Sequence, residues 1–240
     1  MRLDRMINTY NESHLHYALK QKFAPPYAQI EAQIGPYIVD VVYGDRIVEI
    51  QTQNLRSQQK KLLYLLERYW VKIVHPIITT KWLCLIDHQD TVISQRKSPK
   101  KGSCFDLFHE IIFFPNTFLN HARFSMEIAM VQVEEIRRDD GKGSRQRKGI
   151  SILDRKCLKI EQTVPLYDNE DVFRLIAPYL PHRFTTQDIC LQMGISASLS
   201  QKIAWWLRTN DWTRCIGKKG RFHLYQREDH YEKPFNGNRK

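Results

Sequence analysis

The sequence predicts an α/β fold, a mixed sheet flanked by helices, followed by a smaller domain of helices and a strand hairpin. Two observations carry this expectation. In the first half the apolar period begins near 3.6, changes to 2 over three short runs and returns to 3.6. From Asp168 the texture is helical until a final pair of strand-like runs.

The elements follow in order. Asn8 or Asn11 is placed to cap a first helix that reaches about Phe23, where Pro25-Pro26 stops it. Tyr27 to Ile34, Tyr37 to Tyr43 and Arg46 to Thr52 read as strands, the last two joined by the two-residue turn Gly44-Asp45. Ser57 then caps Gln58 to Trp70, whose Leu62, Leu65, Leu66 and Tyr69 form an apolar stripe at helical spacing. Val71 to Ile78, Lys81 to Asp87 and Phe124 to Glu134 add three strands, and Leu158 to Val164 reads as one more. In the second half, Asp168 or Asn169 caps a helix to about Tyr179, and Thr185 with Asp188 three residues later opens another that ends near Gly194. A third helix starts after Ser196 and reaches about Thr209. The strands Trp212 to Ile216 and Arg221 to Gln226 close the pattern, joined by Gly217-Lys218-Lys219-Gly220.

Charge divides the chain unequally. The 240 residues carry 37 Lys and Arg against 26 Asp and Glu, a formal charge of +11. Residues 1–136 hold 16 basic and 14 acidic side chains, leaving 21 and 12 for the rest, so the excess belongs to the second half and points to an anionic partner. Residues 137 to 149 contain three glycines, six basic residues and no apolar side chain, which reads as a loop. The expected organisation is a domain over 1–136, a basic connecting segment over 137–166, a second domain over 167–230 and a flexible tail over 231–240.

Composition excludes several classes. With 42% hydrophobic residues the chain can build a core, so global disorder is excluded. No apolar run approaches the roughly 18 residues of a membrane-spanning helix, and no apolar run follows the opening Met-Arg-Leu-Asp-Arg-Met, so neither membrane insertion nor a secretory signal is expected. Five scattered cysteines without a close pair fit a reducing, cytoplasmic setting. His14 and His16 lack partners at metal-ligand spacing, and Trp205-Trp206 with Trp212 read as core and hairpin anchor.

The hairpin holds the most informative residues. With Gly44-Asp45 as the turn, Tyr43 pairs with Arg46, Val42 with Ile47, Val41 with Val48, and Asp40 falls opposite Glu49. Like charges at cross-strand positions, inside apolar runs, are destabilising unless a cation lies between them. Mg²⁺ (or Mn²⁺) favours such a site, with one or two carboxylates completed by water and phosphate oxygens. Gln51 lies two residues past Glu49 on the same face, and Glu12 shares a helical stripe with Leu15, Leu19 and Phe23, turned towards the sheet.

These residues resemble the PD-(D/E)xK nuclease superfamily, which includes restriction endonucleases and archaeal Holliday-junction resolvases. Asp40 matches the first strand acid, Glu49-Ile50-Gln51 the E-x-K element, and Glu12 the helix glutamate of the resolvase-like branch. The resemblance covers about residues 8–75 and implies a restriction-endonuclease-like fold. It also implies phosphodiester hydrolysis in which Asp40 and Glu49 hold Mg²⁺ and Glu12 binds a second metal or its water shell. Gln51 replaces the usual lysine; Lys60 or Lys61 on the next helix is the alternative source of that cation, against a reading of both as solvated helix charges. Val39 stands where the superfamily often has proline. Through Glu134 to Arg155, rich in Glu, Arg, Gly and Lys, the whole chain also resembles an uncharacterised bacterial family, which implies no activity.

Residues 168–228 resemble a winged helix-turn-helix domain. In it Ser196 to Arg208 matches the recognition helix, and its polar Ser198, Gln201, Lys202 and Arg208 are expected to reach DNA, with Lys218 and Lys219 at the wing tip and Arg221 beside them on phosphate. The function expected is a metal-dependent DNA endonuclease delivered by a winged helix, with RNA the less favoured substrate and a homodimer the form suited to double-strand cutting. The alternative is a catalytically inactive nuclease-like scaffold that regulates or assembles on DNA.

Overall fold

The computed structural model describes residues 13–228. Asn8, Asn11, Glu12 and the 231–240 tail lie outside the described residues. The chain folds into a large mixed sheet with helices on both faces and a second, three-stranded sheet beside three C-terminal helices. Among the described residues no helix is long and apolar enough to cross a membrane.

Helix α1 (His14–Phe23) is capped by Ser13, whose hydroxyl accepts the His16 amide. Strands β1 (Gln29–Ile34), β2 (Tyr37–Tyr43) and β3 (Arg46–Ile50) form an antiparallel meander whose last two strands are the hairpin expected, and Gly44 takes the left-handed φ of 57° that the tight turn requires. Tyr43, Val42 and Val41 pair with Arg46, Ile47 and Val48 as the turn predicts. The ladder stops there, so the expected register pair of Asp40 with Glu49 does not form. The amide of Ile50 instead donates to the Asp40 carboxylate at 2.7 Å, and β2 and β3 part at that point.

A short 3₁₀ turn leads to α2 (Gln59–Leu66), and β4 (Trp70–Ile86) then runs 17 residues through the middle of the sheet. Two separate strands were expected there. They are one strand because β6 (Phe124–Asp139) pairs with β4 in parallel along its length, a register shift at Ile78/Thr80 absorbing the irregularity. Pro76 is tolerated inside β4 because the vacant donor position faces the side where β3 has already ended, two residues past the Gln51 amide bond to the Val74 carbonyl. Beyond that gap β5 (Val92–Lys97) pairs antiparallel with the distal half of β4. It was not anticipated: all six residues are exposed, so no burial pattern marks them.

The connecting segment expected over 137–166 is corrected. Strand β6 continues to Asp139, the basic stretch makes a compact turn, and β7 (Ile150–Leu166) returns antiparallel as the outermost strand of the large sheet. As an edge strand, β7 leaves Leu153 and Leu158 exposed, which blurred its alternation. Within the turn, Gly143 donates its amide to Gly149 O at 2.8 Å, and a side chain on Gly143 would meet the Ile150 carbonyl at 1.9 Å. Gly143→Ala is therefore expected to open the turn and cost about 1–3 kcal/mol, read as lost amide-exchange protection at position 143 and a lower Tm.

One sheet face carries Val41, Val48, Ile50, Val74, Ala129, Val131 and Val133 beneath Leu15 and Leu19 of α1. The other face packs against α2, the short helices α3 (Phe108–Ile111) and α4 (Asn116–Leu119), and the C-terminal helices. These are α5 (Asn169–Ile176), α6 (Thr186–Met193) and α7 (Ala197–Thr209). Their caps are Asp168, Thr185 with Asp188 in a capping box, and Ser196, as the sequence indicated. Strands β8 (Arg183–Phe184), β9 (Thr213–Lys219) and β10 (Phe222–Arg227) form the small sheet in the order β8-β10-β9. Trp206 is fully buried edge-on to Phe108, their centroids 5.4 Å apart, so the C-terminal helices share one continuous core with the large sheet.

Candidate active site

Where β2 and β3 part, side chains from four elements converge. The Ile50 amide holds Oδ2 of Asp40, and His16 from α1 donates Nε2–H to the Ile50 carbonyl at 2.9 Å while lying 3.4 Å from the same Asp40 oxygen. From α2, Lys61 places Nζ 2.6 Å from Glu49 Oε2 and 2.6 Å from the Ile38 carbonyl. The other Glu49 oxygen, Oε1, is buried and has no hydrogen-bond partner among the described residues.

Local sequence explains the convergence. Lys61 precedes Leu62 and lies one turn before Leu65, two residues that hold α2 on the sheet, so its stem is drawn along that face. His16 sits between Leu15 and Leu19, the two residues that seat α1 on the opposite face. Glu49 alternates with Val48 and Ile50, so its side chain leaves the opposite face of β3, the one that α2 covers. The sheet thus brings a lysine from one face and a histidine from the other to the open end of one strand pair.

The two carboxylates are held differently. Burial pushes Glu49 up to about 7; the charge of Lys61 opposes this and that of Asp40 adds to it. Burial also acts to raise Asp40, but the hydrogen bond and charge of His16, the Ile50 amide and Lys61 outweigh it and leave Asp40 below its ordinary value. One acid is therefore fixed as a carboxylate while its neighbour titrates near neutrality.

The sequence-predicted residues fare unequally. Asp40 and Glu49 come together. Glu12 lies outside the described residues. The Gln51 side chain is spent on the Gln53 carbonyl, and its own carbonyl accepts from Nδ1 of the buried His75 at 2.7 Å. The reading of Lys61 as a solvated charge is corrected by its pairing with Glu49; Lys60 is exposed. His16, which lacks partners at metal-ligand spacing, reaches the Asp40 carboxylate through the packing of α1 on the sheet, which spacing alone does not show.

A hard cation fits this donor set. A buried carboxylate oxygen on Glu49 with no partner among the described residues, beside an Asp40 held below its ordinary value, is the environment a divalent ion relieves. No cluster of three or more His, Cys, Asp and Glu forms among the described residues, so water and phosphate oxygens would complete the shell.

On the C-terminal helices, Ser198, Gln201 and Arg208 are exposed along one stripe of α7. Trp205 joins them with 44% of its surface exposed, so its expected core role is corrected, whereas Trp206 is buried as expected. Lys202 departs from the stripe: its Nζ donates to Nδ1 of His109 at 3.0 Å and lies over Phe113, because α3 packs beside α7. Lys218 and Lys219 are exposed but lie on β9, paired with His223 and Phe222; Gly220-Arg221 makes the actual turn, since Gly220 takes the positive φ. Arg221 is exposed and stacks on Phe222.

A family model described as Domain of unknown function (DUF8091) matches residues 13–167, the span from α1 through β7 that builds the large sheet. Over 223 residues, 92% of this chain and 88% of the relative, the chain is 32% identical to a protein of Treponema pallidum (strain Nichols) described as "Uncharacterized protein". No solved structure matches it.

Proposed function

The chain belongs to the DUF8091 family, and from that premise we propose that it is a metal-dependent DNA endonuclease of PD-(D/E)xK type whose C-terminal winged helix delivers it to DNA. The observation that carries the reading is Lys61 on Glu49. The E-x-K element lacks its lysine at Gln51, and a helix lysine puts an ammonium group 2.6 Å from the acid of the same element. The order α1-β1-β2-β3-α2-β4 supports the restriction-endonuclease-like assignment. The order α5-β8-α6-α7-β9-β10, with its three-stranded sheet, supports the winged helix.

In this reading Asp40 and Glu49 hold Mg²⁺ or Mn²⁺. When bound, the ion would activate water and offset charge on the scissile phosphate. The chain's own residues set the rest. His16 and the Ile50 amide fix the Asp40 carboxylate and keep it ionised. Lys61, pinned between Glu49 and the Ile38 carbonyl, keeps a positive charge where a phosphate oxygen would approach and holds down the proton affinity of Glu49. Ser198, Gln201, Trp205 and Arg208 present one stripe of α7 to a major groove, and Lys218, Lys219 and Arg221 present charge to phosphate.

The direct test is Mg²⁺-dependent cleavage of plasmid DNA by the purified chain. Cleavage is expected to disappear on chelation and in the Asp40→Ala and Glu49→Ala variants; activity surviving both substitutions would overturn the proposal. Metal binding and DNA binding without cleavage would favour the inactive scaffold. For the wing, replacing Lys218 and Lys219 by Ala is expected to weaken binding to a similar degree across DNA sequences and to lower the salt slope by about 2. Fluorescence anisotropy at several salt concentrations reads both effects.

A further inference from the structure

The turn between β6 and β7 is a candidate for more than connection. It carries Lys142, Arg145, Arg147 and Lys148 within seven residues, all exposed, and none forms an ion pair among the described residues. Such a run is ordinarily a mobile loop, but this one is braced. Gly143 N bonds Gly149 O, Arg147 N bonds Ser144 O, and Lys148 N bonds Arg145 O. The nearby acid Asp140 is occupied as a strut, accepting from the Lys142 amide and the Ser151 hydroxyl. A side chain on Gly149 would come within 3.1 Å of Gly141 Cα, and both residues hold a positive φ, so glycine suits the closed turn at these two positions.

The base of the turn is cationic as well. Glu135 is fully buried, with Arg137 Nε at 2.8 Å on one oxygen and Arg155 Nε at 2.9 Å on the other; Lys81 stands at 3.4 Å. One carboxylate therefore positions three cations, each still partly exposed, and leaves a local excess of two positive charges. A surface with preset cations binds polyanions at a lower ordering cost than flexible lysines do.

Its position relative to the candidate active site sets the partner. Strand β4 lies beside Ile50 at Val74 and continues for twelve residues to Ile86, opposite Arg138 at the foot of the turn. At about 3.3 Å per residue this is up to about 40 Å. B-form DNA rises about 3.4 Å per base pair, so the same span is roughly one helical turn. A duplex with a phosphate at Asp40 and Glu49, lying along β4 and β6, would present its backbone again near the basic turn.

We propose that the β6–β7 turn is a second, sequence-independent contact for duplex DNA, gripping the phosphate backbone about one helical turn from the cutting site. This rests on the proposal that the chain acts on DNA. It assigns a role to residues 13–167 that is separate from the winged helix: the sheet domain holds its own substrate.

The experiment measures binding of the full chain carrying Asp40→Ala and Glu49→Ala to a 30-base-pair duplex without metal, so that its outcome does not depend on cleavage. Fluorescence anisotropy is followed from about 50 to 200 mM salt. In that background, adding Lys142→Ala, Arg145→Ala and Arg147→Ala is expected to lower the salt slope by about 2 to 3 and the affinity at least tenfold near 100 mM salt. The pair Lys142→Ala and Arg145→Ala, which spares the Arg147 bond to the Ile150 carbonyl, should lower the slope by about 2. Substituting Arg145→Lys and Arg147→Lys should leave the slope in place. A slope unchanged in the double and triple variants, or a greater loss on duplex RNA than on duplex DNA, overturns the proposal. Absence of cleavage by the unaltered chain would instead count against the nuclease reading alone.

Discussion

Glu49→Gln is expected to abolish Mg²⁺-dependent cleavage and, at the same time, to raise the Tm of the protein at pH 8. The two effects have one cause. Glu49 is 6% exposed and titrates near 7 because burial and the charge of Asp40 both oppose its ionisation. Its unfolded value is 4.5, so a carboxylate held ionised at pH 8 costs the fold roughly 3 kcal/mol relative to a proton-bound group. Gln keeps the shape and can still accept from Lys61, but carries no charge to desolvate. Cleavage should fall at least a thousandfold, comparable with loss of a principal electrostatic group. The sign with pH follows directly. A folded value raised above the unfolded one contributes stability present below about pH 4.5 and lost as pH rises through about 7. Unaltered protein should lose Tm between pH 5 and 8 more steeply than Glu49→Gln, and Mg²⁺ at pH 8 should restore it in the former only. Asp40 does not act in that window: its folded value is depressed, so its contribution is lost only in more acidic solution.

Lys61→Met is the second large effect, with cleavage at pH 7 expected to drop about 100- to 1,000-fold. Two losses combine. The ammonium group 2.6 Å from Glu49 Oε2 disappears, and with it the charge that restrains the Glu49 proton. The rising limb of the pH–rate profile, expected near 7 in the unaltered protein, should therefore move to higher pH in Lys61→Met. That shift separates a role at the acid from a general loss of packing. Lys60→Met, at the neighbouring exposed position, should leave both rate and profile unchanged.

The legibility of the site in the sequence was uneven for physical reasons. The Gly44-Asp45 turn specified the register of β2 and β3 through Val41 and Val48, and so placed Asp40 near Glu49 from local rules alone. Those rules could not show that Asp40 would take the Ile50 amide and separate the strands, since that depends on how the carboxylate turns once β3 has ended. Lys61 was visible only as a charge beside an apolar stripe; its reach to Glu49 depends on the packing of α2 over the sheet. The helix caps at Asp168, Thr185 and Ser196 were readable because capping is a matter of a few consecutive residues. Of strand β7 only Leu158 to Val164 was legible, because an edge strand buries too little for its alternation to show along its whole length, and a basic turn closed by backbone bonds has the composition of a linker.

The central claim is that Asp40 and Glu49 form a divalent-ion site, with the Lys61 ammonium group beside it on Glu49. Crystals of the full chain soaked in Mn²⁺ test it most directly. The account predicts an anomalous peak between the two carboxylates, within coordination distance of Glu49 Oε1, that is absent from crystals of Glu49→Gln. Mn²⁺ bound elsewhere while Glu49 stays paired with Lys61 alone, its Oε1 without a ligand, would contradict it.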